Sequence, residues 1–146
     1  MSVTNGNPIP PIGHRKPTPD GSAPDGSEIR LLVDANQGAV KSSLVEVTLA
    51  PGEVTRPVRH RTVEEIWYVL EGKGQVWRCP SDAVPESVAA IPVSPGDGLA
   101  IPTGLSFQFN ADPEIPLRFL CYTTPPWPGE AEAVPMEHGG LGDATV

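Results

Sequence analysis

Proline and glycine interrupt this chain at short intervals. The 146 residues include 19 prolines and 15 glycines, spread along the whole sequence. Proline removes a backbone donor and glycine weakens helices, and apolar residues rarely recur here with helical spacing. The pattern therefore favours short strands joined by tight turns over long helices.

Eight segments have the composition of β-strands. They are rich in Val, Ile, Leu and aromatic residues, several alternate in polarity, and they cover residues 28–34, 42–49, 64–70, 74–78, 89–93, 98–101, 106–110 and 117–123. Turn sequences separate them at 50–52, 71–74, 94–98 and 111–114. So many short strands in a chain of one-domain length predict an all-β, double-sheet jelly roll.

Two motifs about thirty residues apart carry a family resemblance. The first reads PGEVTRPVRHRTVEEIWYVLEGKG from residue 51, and the second reads PGDGLAIPTGLSFQFN from residue 95. Together they resemble the paired motifs of the cupin family. The positions that match are Gly52, His60, Glu65 and Gly72 in the first motif and Gly96, Pro102 and Gly104 in the second. The resemblance implies a double-stranded β-helix, the jelly-roll cupin barrel.

The resemblance also divides the chain into three regions. Residues 1–27, with six prolines, are predicted to be an extended arm without regular structure of its own. Residues 28–124 form the barrel, and residues 125–146 form a tail that packs on it, anchored by Trp127. The resemblance implies a homodimer in which such an arm crosses to the partner, although composition alone fits a simple terminal extension equally well.

The metal site that the resemblance implies is incomplete. Metal-binding cupins bring three histidines and one carboxylate together, but Val58 and Phe107 occupy two of the histidine positions here. Only His60 and Glu65 remain. Replacement ligands could come from Glu64, Gln108, Asn110, Cys121 or His138. We expect no cofactor, and the alternative is one divalent ion of iron, manganese, nickel, copper or zinc bound by His60 and Glu65.

Strand parity predicts what surrounds this pair. Trp67 shares a face with Glu65, and Phe109 shares a face with Phe107, so these side chains and Val58 should line an apolar pocket. Burial would raise the pKa of the carboxyl and lower that of the imidazole, whereas a direct contact would oppose both shifts. The pair then acts as a general acid and base near neutral pH, or it is a structural contact in which Trp67 is simply part of the core.

Arginines flank His60 in sequence. Arg56, Arg59 and Arg61 either pair with nearby acids such as Glu53 and Glu64, or form a cationic rim in which Arg56 lines the pocket and attracts an anionic ligand. The net charge of −8 argues against a nucleic-acid partner. The chain shows no signal peptide and no apolar run that could span a membrane, which predicts a cytoplasmic protein.

Three function classes remain open from the sequence. The first is a metal-independent isomerase, epimerase, decarboxylase or lyase that uses His60 and Glu65 on a small molecule. The second is a metal-dependent dioxygenase or isomerase with a depleted ligand set. The third is a small-molecule binding protein without catalytic activity. Cys79 and Cys121 lack metal-binding spacing and are expected to be buried, reduced thiols, although a catalytic Cys121 stays open.

Overall fold

Two antiparallel sheets face each other in the computed structural model, which describes residues 9–146. The strands are β1 (Gly21–Ser22), β2 (Glu28–Val33), β3 (Ser43–Leu49), β4 (Val58–His60), β5 (Glu64–Glu71), β6 (Gly74–Cys79), β7 (Ile91–Val93), β8 (Gly98–Ile101), β9 (Ser106–Ala111), β10 (Leu117–Thr124) and β11 (Ala133–Pro135). One sheet has the order β1-β2-β3-β10-β5-β8, and the other has the order β11-β4-β9-β6-β7. The predicted all-β jelly roll is confirmed.

Alternation along the strands fills the space between the sheets. In β5 the side chains of Glu65, Trp67 and Val69 are buried, while those between them are exposed. At the centre, Trp67 stacks on Phe119 with ring centroids 4.0 Å apart and an interplanar angle of 21°. Aromatic pairs at such distances contribute beyond their buried area, so these rings form a rigid wall inside the barrel.

The glycine that ends the first motif is required by close packing. Gly72 has a φ of 86°, and a Cβ atom at this position would lie 1.8 Å from the backbone oxygen of Pro116. No other residue fits such a turn without displacing the neighbouring backbone. The motif glycine therefore fixes the β5–β6 turn against the start of β10.

All eight predicted strands are present, with ends within two residues of the prediction. Sequence reasoning missed three short strands, β1, β4 and β11. The most important is β4, because it carries Val58 and His60. Its three residues follow a proline, and β11 ends at one, so neither segment is long enough to show an alternating pattern.

The described part of the arm folds back on its own barrel. Arg15 Nε lies 2.6 Å from Glu46 Oε2, and Arg30 Nε donates to the Lys16 backbone oxygen at 2.9 Å. Residues 21 and 22 pair with β2, so the barrel rather than the arm itself supplies the partner for this short strand. The crossing of the arm to a partner stays a prediction, and residues 1–8 lie outside the described part of the chain.

The tail covers the outer side of the five-stranded sheet. Strand β11 pairs with β4, and the buried Gln108 side chain accepts from Leu141 N at 2.8 Å and donates to the Gly142 oxygen at 2.8 Å. Gln108 points away from the barrel interior and cannot serve as a replacement ligand there.

Both cysteines, Cys79 and Cys121, are free and buried, as predicted. No helix among residues 9–146 is long and apolar enough to cross a membrane.

Glu132 joins the tail to the loop between β4 and β5. Its carboxylate accepts from the Thr62 backbone N–H at 2.7 Å, the Thr62 hydroxyl at 2.6 Å and the Val63 N–H at 2.8 Å. These hydrogen bonds hold the pKa of Glu132 below its usual value, although burial opposes them. The loop that separates His60 from Glu65 is therefore held in place by the tail.

We predict that Glu132→Ala destabilises the protein, because it leaves three loop donors without their acceptor. The expected loss in the free energy of unfolding is about 2 kcal/mol, measured by urea denaturation. Glu130→Ala is the matched control, since Glu130 is exposed in the same turn. Equal effects of the two substitutions would contradict the anchoring role.

Candidate functional site

A cavity of about 50 Å³ lies between the sheets. A buried water occupies roughly 10–15 Å³ on this measure, so there is room for a few waters or for a molecule of similar size. The aromatic side chains in its wall are Trp67, Phe109, Phe119 and Trp127, and the ionisable ones are Asp25, His60, Glu65 and Cys121. The barrel strands supply most of the wall. The arm contributes Asp25 to the wall, and the tail contributes Trp127.

His60 and Glu65 meet inside this cavity. The distance from His60 Nδ1 to Glu65 Oε2 is 3.5 Å, and both side chains are more than nine-tenths buried. That separation is too long for a good hydrogen bond. In the described part of the chain His60 Nδ1 has no hydrogen-bond partner. A buried imidazole nitrogen without a partner is rare and calls for an explanation.

Burial controls the ionisation of both groups. It raises the pKa of Glu65 to about 7, although hydrogen bonds from Trp67 and Cys121 oppose this shift. It lowers the pKa of His60 to about 4, against the attraction of Glu132. The 3.5 Å contact by itself would favour a charged pair, but without a proper hydrogen bond it does not outweigh desolvation. Between about pH 4 and pH 7 both groups are therefore neutral.

The immediate partners of Glu65 keep its carboxyl in place. Trp67 Nε1 donates to Glu65 Oε1 at 2.8 Å, which leaves Oε2 directed at His60. The Cys121 thiol also contacts Glu65, and burial followed by the charge of Glu65 raises its pKa well above the ordinary value. A thiol in that environment is not a nucleophile, so a catalytic Cys121 is not supported.

The predicted pocket residues fall into two groups. Val58, Trp67 and Phe109 line the cavity, and Phe107 packs edge-on against the His60 ring with centroids 5.3 Å apart. Arg56 does not line the cavity, which corrects the expectation. It is exposed, and its Nε donates to the Val146 backbone oxygen at 2.8 Å.

The other arginine expectations are also corrected. Arg61 donates to the Ala131 oxygen at 3.0 Å, so the tail backbone rather than Glu64 takes this guanidinium. Among the described residues, no ion pair joins the three arginines to Glu53 or Glu64. The carbonyl acceptors belong to the tail, 70 and 90 residues away in sequence, and to Pro24 in the arm, and local spacing cannot reveal them.

Of the residues that line the cavity, the sequence analysis missed Asp25 and predicted only an anchoring role for Trp127. Asp25 lines the cavity and is 8% exposed, yet in sequence it looks like an ordinary turn residue between Pro24 and Gly26. Trp127 was predicted to anchor the tail. Its ring centroid lies 5.3 Å from that of His60 at an interplanar angle of 58°, and it lines the cavity. The other predicted replacement ligands lie elsewhere, with Glu64 and His138 exposed and Asn110 hydrogen-bonded to Gln75.

The residues present do not fit a metal ion of the kind that the resemblance implies. Two motif positions hold the apolar Val58 and Phe107, which face each other across β4 and β9. Among residues 9–146 no three His, Cys, Asp or Glu side chains are grouped so as to hold a metal. Glu65 Oε1 is already committed to Trp67. Two protein ligands are fewer than an open catalytic metal site requires.

Two facing antiparallel sheets around an internal cavity make this a jelly-roll barrel protein. Residues 45–123 match the family model described as "Cupin domain", and the chain belongs to the cupin family. It is 34% identical over 107 residues to the uncharacterized protein MJ1618 of Methanocaldococcus jannaschii, with 73% of this chain and 79% of that protein aligned.

Solved structures share the fold at low identity. Oxalate decarboxylase from Bacillus subtilis gives a TM-score of 0.70 at 17% identity over 88% of this chain, which spans 32% of that larger protein. The polyketide cyclase RemF from Streptomyces resistomycificus gives a TM-score of 0.62 at 24% identity, over 89% of this chain and 82% of RemF. At these identities the likenesses show only the fold, so the chemistry has to be argued from the residues that line the cavity.

The burial of Glu65 should make the free energy of unfolding depend on pH. Its folded-state pKa of about 7 lies above the ordinary 4.5, so the folded protein keeps a proton that the unfolded chain releases. This contribution to stability is present below about pH 4.5 and is lost as the pH rises to about 7. A shift of this size corresponds to at most about 3 kcal/mol.

We predict that Glu65→Gln removes this dependence. Relative to wild type, the variant should gain up to about 3 kcal/mol in the free energy of unfolding between pH 4.5 and pH 8, measured by urea denaturation. Glu64→Gln is the control, because Glu64 is exposed on the opposite face of β5. Parallel pH profiles for wild type and Glu65→Gln would mean that the carboxyl is ionised throughout this range.

Proposed function

We propose that this cupin is a metal-independent enzyme in which Glu65 and His60 transfer a proton to or from a small molecule bound in the cavity. The observation that carries the proposal is the unpartnered Nδ1 of His60, facing the Glu65 carboxyl 3.5 Å away inside an aromatic enclosure. Catalytic hydrogen bonds are often long before substrate binds. A bound molecule between or beside the two groups would satisfy both.

The ionisation of the pair suits this role. A carboxyl group with a pKa of about 7 is present in both forms at neutral pH, as an acid that donates and as a base that accepts. Neutral His60 offers one N–H donor and one acceptor nitrogen. It can therefore donate a hydrogen bond to an oxygen on which charge develops, without itself carrying a charge.

The simplest reaction with these parts is proton transfer next to a carbonyl group. The Glu65 carboxylate takes the proton from the carbon, so that a C–H bond breaks and an O–H bond forms on Glu65. The electron pair moves onto the carbonyl oxygen, where a hydrogen bond from the His60 imidazole stabilises it. Return of the proton to the same or another carbon gives exchange, epimerisation or isomerisation.

The charged residues that line the cavity restrict the charge of the ligand. None of the described residues that line it is lysine or arginine, whereas Asp25 and Glu65 both face it. An anionic ligand, as the arginines near His60 suggested, would meet a carboxylate without a counter-charge. We therefore propose a ligand without negative charge. Cupin-fold proteins named a decarboxylase and a polyketide cyclase are consistent with small-molecule chemistry in such a barrel.

Solvent deuterium exchange provides a general assay of this proposal. We predict that the protein accelerates exchange at the α-carbon of at least one member of a panel of three-carbon uncharged and amino-substituted ketones and aldehydes in D2O, followed by proton NMR. Glu65→Gln should lower the rate by at least about a hundredfold, while Glu64→Gln keeps it. His60→Phe should lower it by about tenfold or more, with His138→Phe as its control.

The same assay separates the alternatives. Activity that survives a chelator supports the metal-independent reaction. Activity lost on chelation and restored by one of the five candidate metals would support the metal-dependent alternative, in keeping with the Mn(II) centres of B. subtilis oxalate decarboxylase. Equal rates for wild type and Glu65→Gln across the whole panel would contradict the proton-transfer role and favour a binding protein.

A further inference from the structure

The arm carries a second carboxyl group into the cavity, outside the part of the chain that matches the family model. Asp25 is 8% exposed and lines the cavity together with Glu65 and His60. Its Oδ1 accepts from the Ser27 backbone N–H at 2.9 Å and from the Ser27 hydroxyl at 2.7 Å. Its Oδ2 has no hydrogen-bond partner within residues 9–146.

The loop around Asp25 is held by contacts from three directions. Ala23 N donates to Ser27 O at 2.8 Å, which closes the loop on itself. Arg56 N donates to the Asp25 backbone oxygen at 2.9 Å. The side chain of Val146 packs on Gly26, whose φ of 96° and lack of space exclude a Cβ atom. The carboxyl is therefore aimed at the cavity by a fixed loop rather than by a free side chain.

The charged groups that line this cavity are carboxyls. Asp25 has one oxygen held by Ser27 and Glu65 has one held by Trp67, and no lysine or arginine among residues 9–146 lines the cavity beside them. The Arg56 guanidinium donates to the backbone oxygens of Val146 and Pro24; burial raises the pKa of Asp25, and the charge of Arg56 only partly opposes this shift. Burying carboxyl groups without a counter-charge in the cavity costs free energy that a bound cation would return.

The aromatic walls of the cavity also favour a cationic ligand. Four aromatic rings line the cavity, those of Trp67, Phe109, Phe119 and Trp127. Aromatic enclosures with a carboxylate are a known means of recognising ammonium groups. Metal cations, which prefer several oxygen or imidazole ligands at short distance, find no such group of three in the described residues. The enclosure thus discriminates in favour of an organic cation.

We propose that Asp25 is a specificity-determining residue that binds a protonated amine of the ligand in this cavity. The ammonium group donates to Asp25 Oδ2, and the remainder of the ligand extends toward Glu65 and His60. This inference rests on the proposed function for the position of the reacting carbon, but the binding it describes is independent of catalysis. It assigns the substrate class as small amines, such as amino-substituted carbonyl compounds.

The size of the cavity limits the occupant. With room for a few waters, it accepts about four or five non-hydrogen atoms while Trp127 stays in place. n-Propylammonium, 1-propanol and propionate have this size and differ in charge. They serve as probes of the charge that the cavity prefers.

The test is a binding titration of each probe at pH 8, followed by the indole N–H signal of Trp67 in nitrogen-edited NMR spectra. We expect n-propylammonium to bind about tenfold or more tightly than 1-propanol and propionate not to bind. The variants of this test are made in the Glu65→Gln background, so that Asp25 carries the only carboxyl charge among the described residues that line the cavity. There Asp25→Asn keeps the oxygen that accepts from Ser27 and removes the charge, so it should reduce the preference for the ammonium to within about threefold. It should leave 1-propanol binding unchanged.

Asp97→Asn is the matched control, because Asp97 accepts from the Ser94 backbone in a similar turn but is exposed and remote from the cavity. It should bind all three probes as the Glu65→Gln parent does. Equal affinity for n-propylammonium and 1-propanol, or a preference that survives Asp25→Asn, would overturn the inference. If exchange activity is present without this preference, only the inference fails; if the preference is present without exchange, only the proposed reaction fails.

Discussion

Burial of the Glu65 carboxyl among aromatic side chains is the constraint on which the site depends. The stacked Trp67 and Phe119 rings form the wall beside this carboxyl, and Trp67 Nε1 donates a hydrogen bond to it. An ionised carboxylate there is costly, which raises its pKa into the neutral range. The same low-dielectric setting keeps His60 neutral. One packing arrangement thus produces both the acid and its neutral partner, and without the aromatic wall neither would have a role near pH 7.

The segments outside the family match complete this arrangement. Residues 45–123 form the part of the barrel that the family model covers, but the cavity wall also includes Asp25 from the arm and Trp127 from the tail. Both depend on the tail, which packs Val146 on the Asp25 loop and holds the β4–β5 loop through Glu132. A cupin barrel that has lost motif histidines can in this way acquire a new set of polar groups from its own termini. Function lies in such sites rather than in the fold.

Much of the barrel could be predicted from the sequence, because its longer strands alternate and its turns carry glycine and proline. Parity alone placed Trp67 and Phe109 inside with Glu65, since a period of two fixes which side chains share a face. Other features depend on contacts between distant parts of the chain. Arg56 was expected at the pocket because it lies near His60 in sequence, yet its partner is the backbone of Val146, 90 residues away. Asp25 escaped notice because a turn aspartate has the same sequence signature whether it faces solvent or a cavity.

The most direct measurement of the central claim is the pH dependence of the Trp67 indole N–H signal, since this group donates to Glu65 at 2.8 Å and reports its ionisation without any substrate. The three indole signals are assigned with single Trp→Phe variants. In the wild-type protein we expect this signal to titrate with a midpoint near 7. The titration should be absent in Glu65→Gln and unchanged in Glu64→Gln. A midpoint near the ordinary value of 4.5, or the same titration in Glu65→Gln, would contradict the claim that burial holds this carboxyl ready for proton transfer at neutral pH.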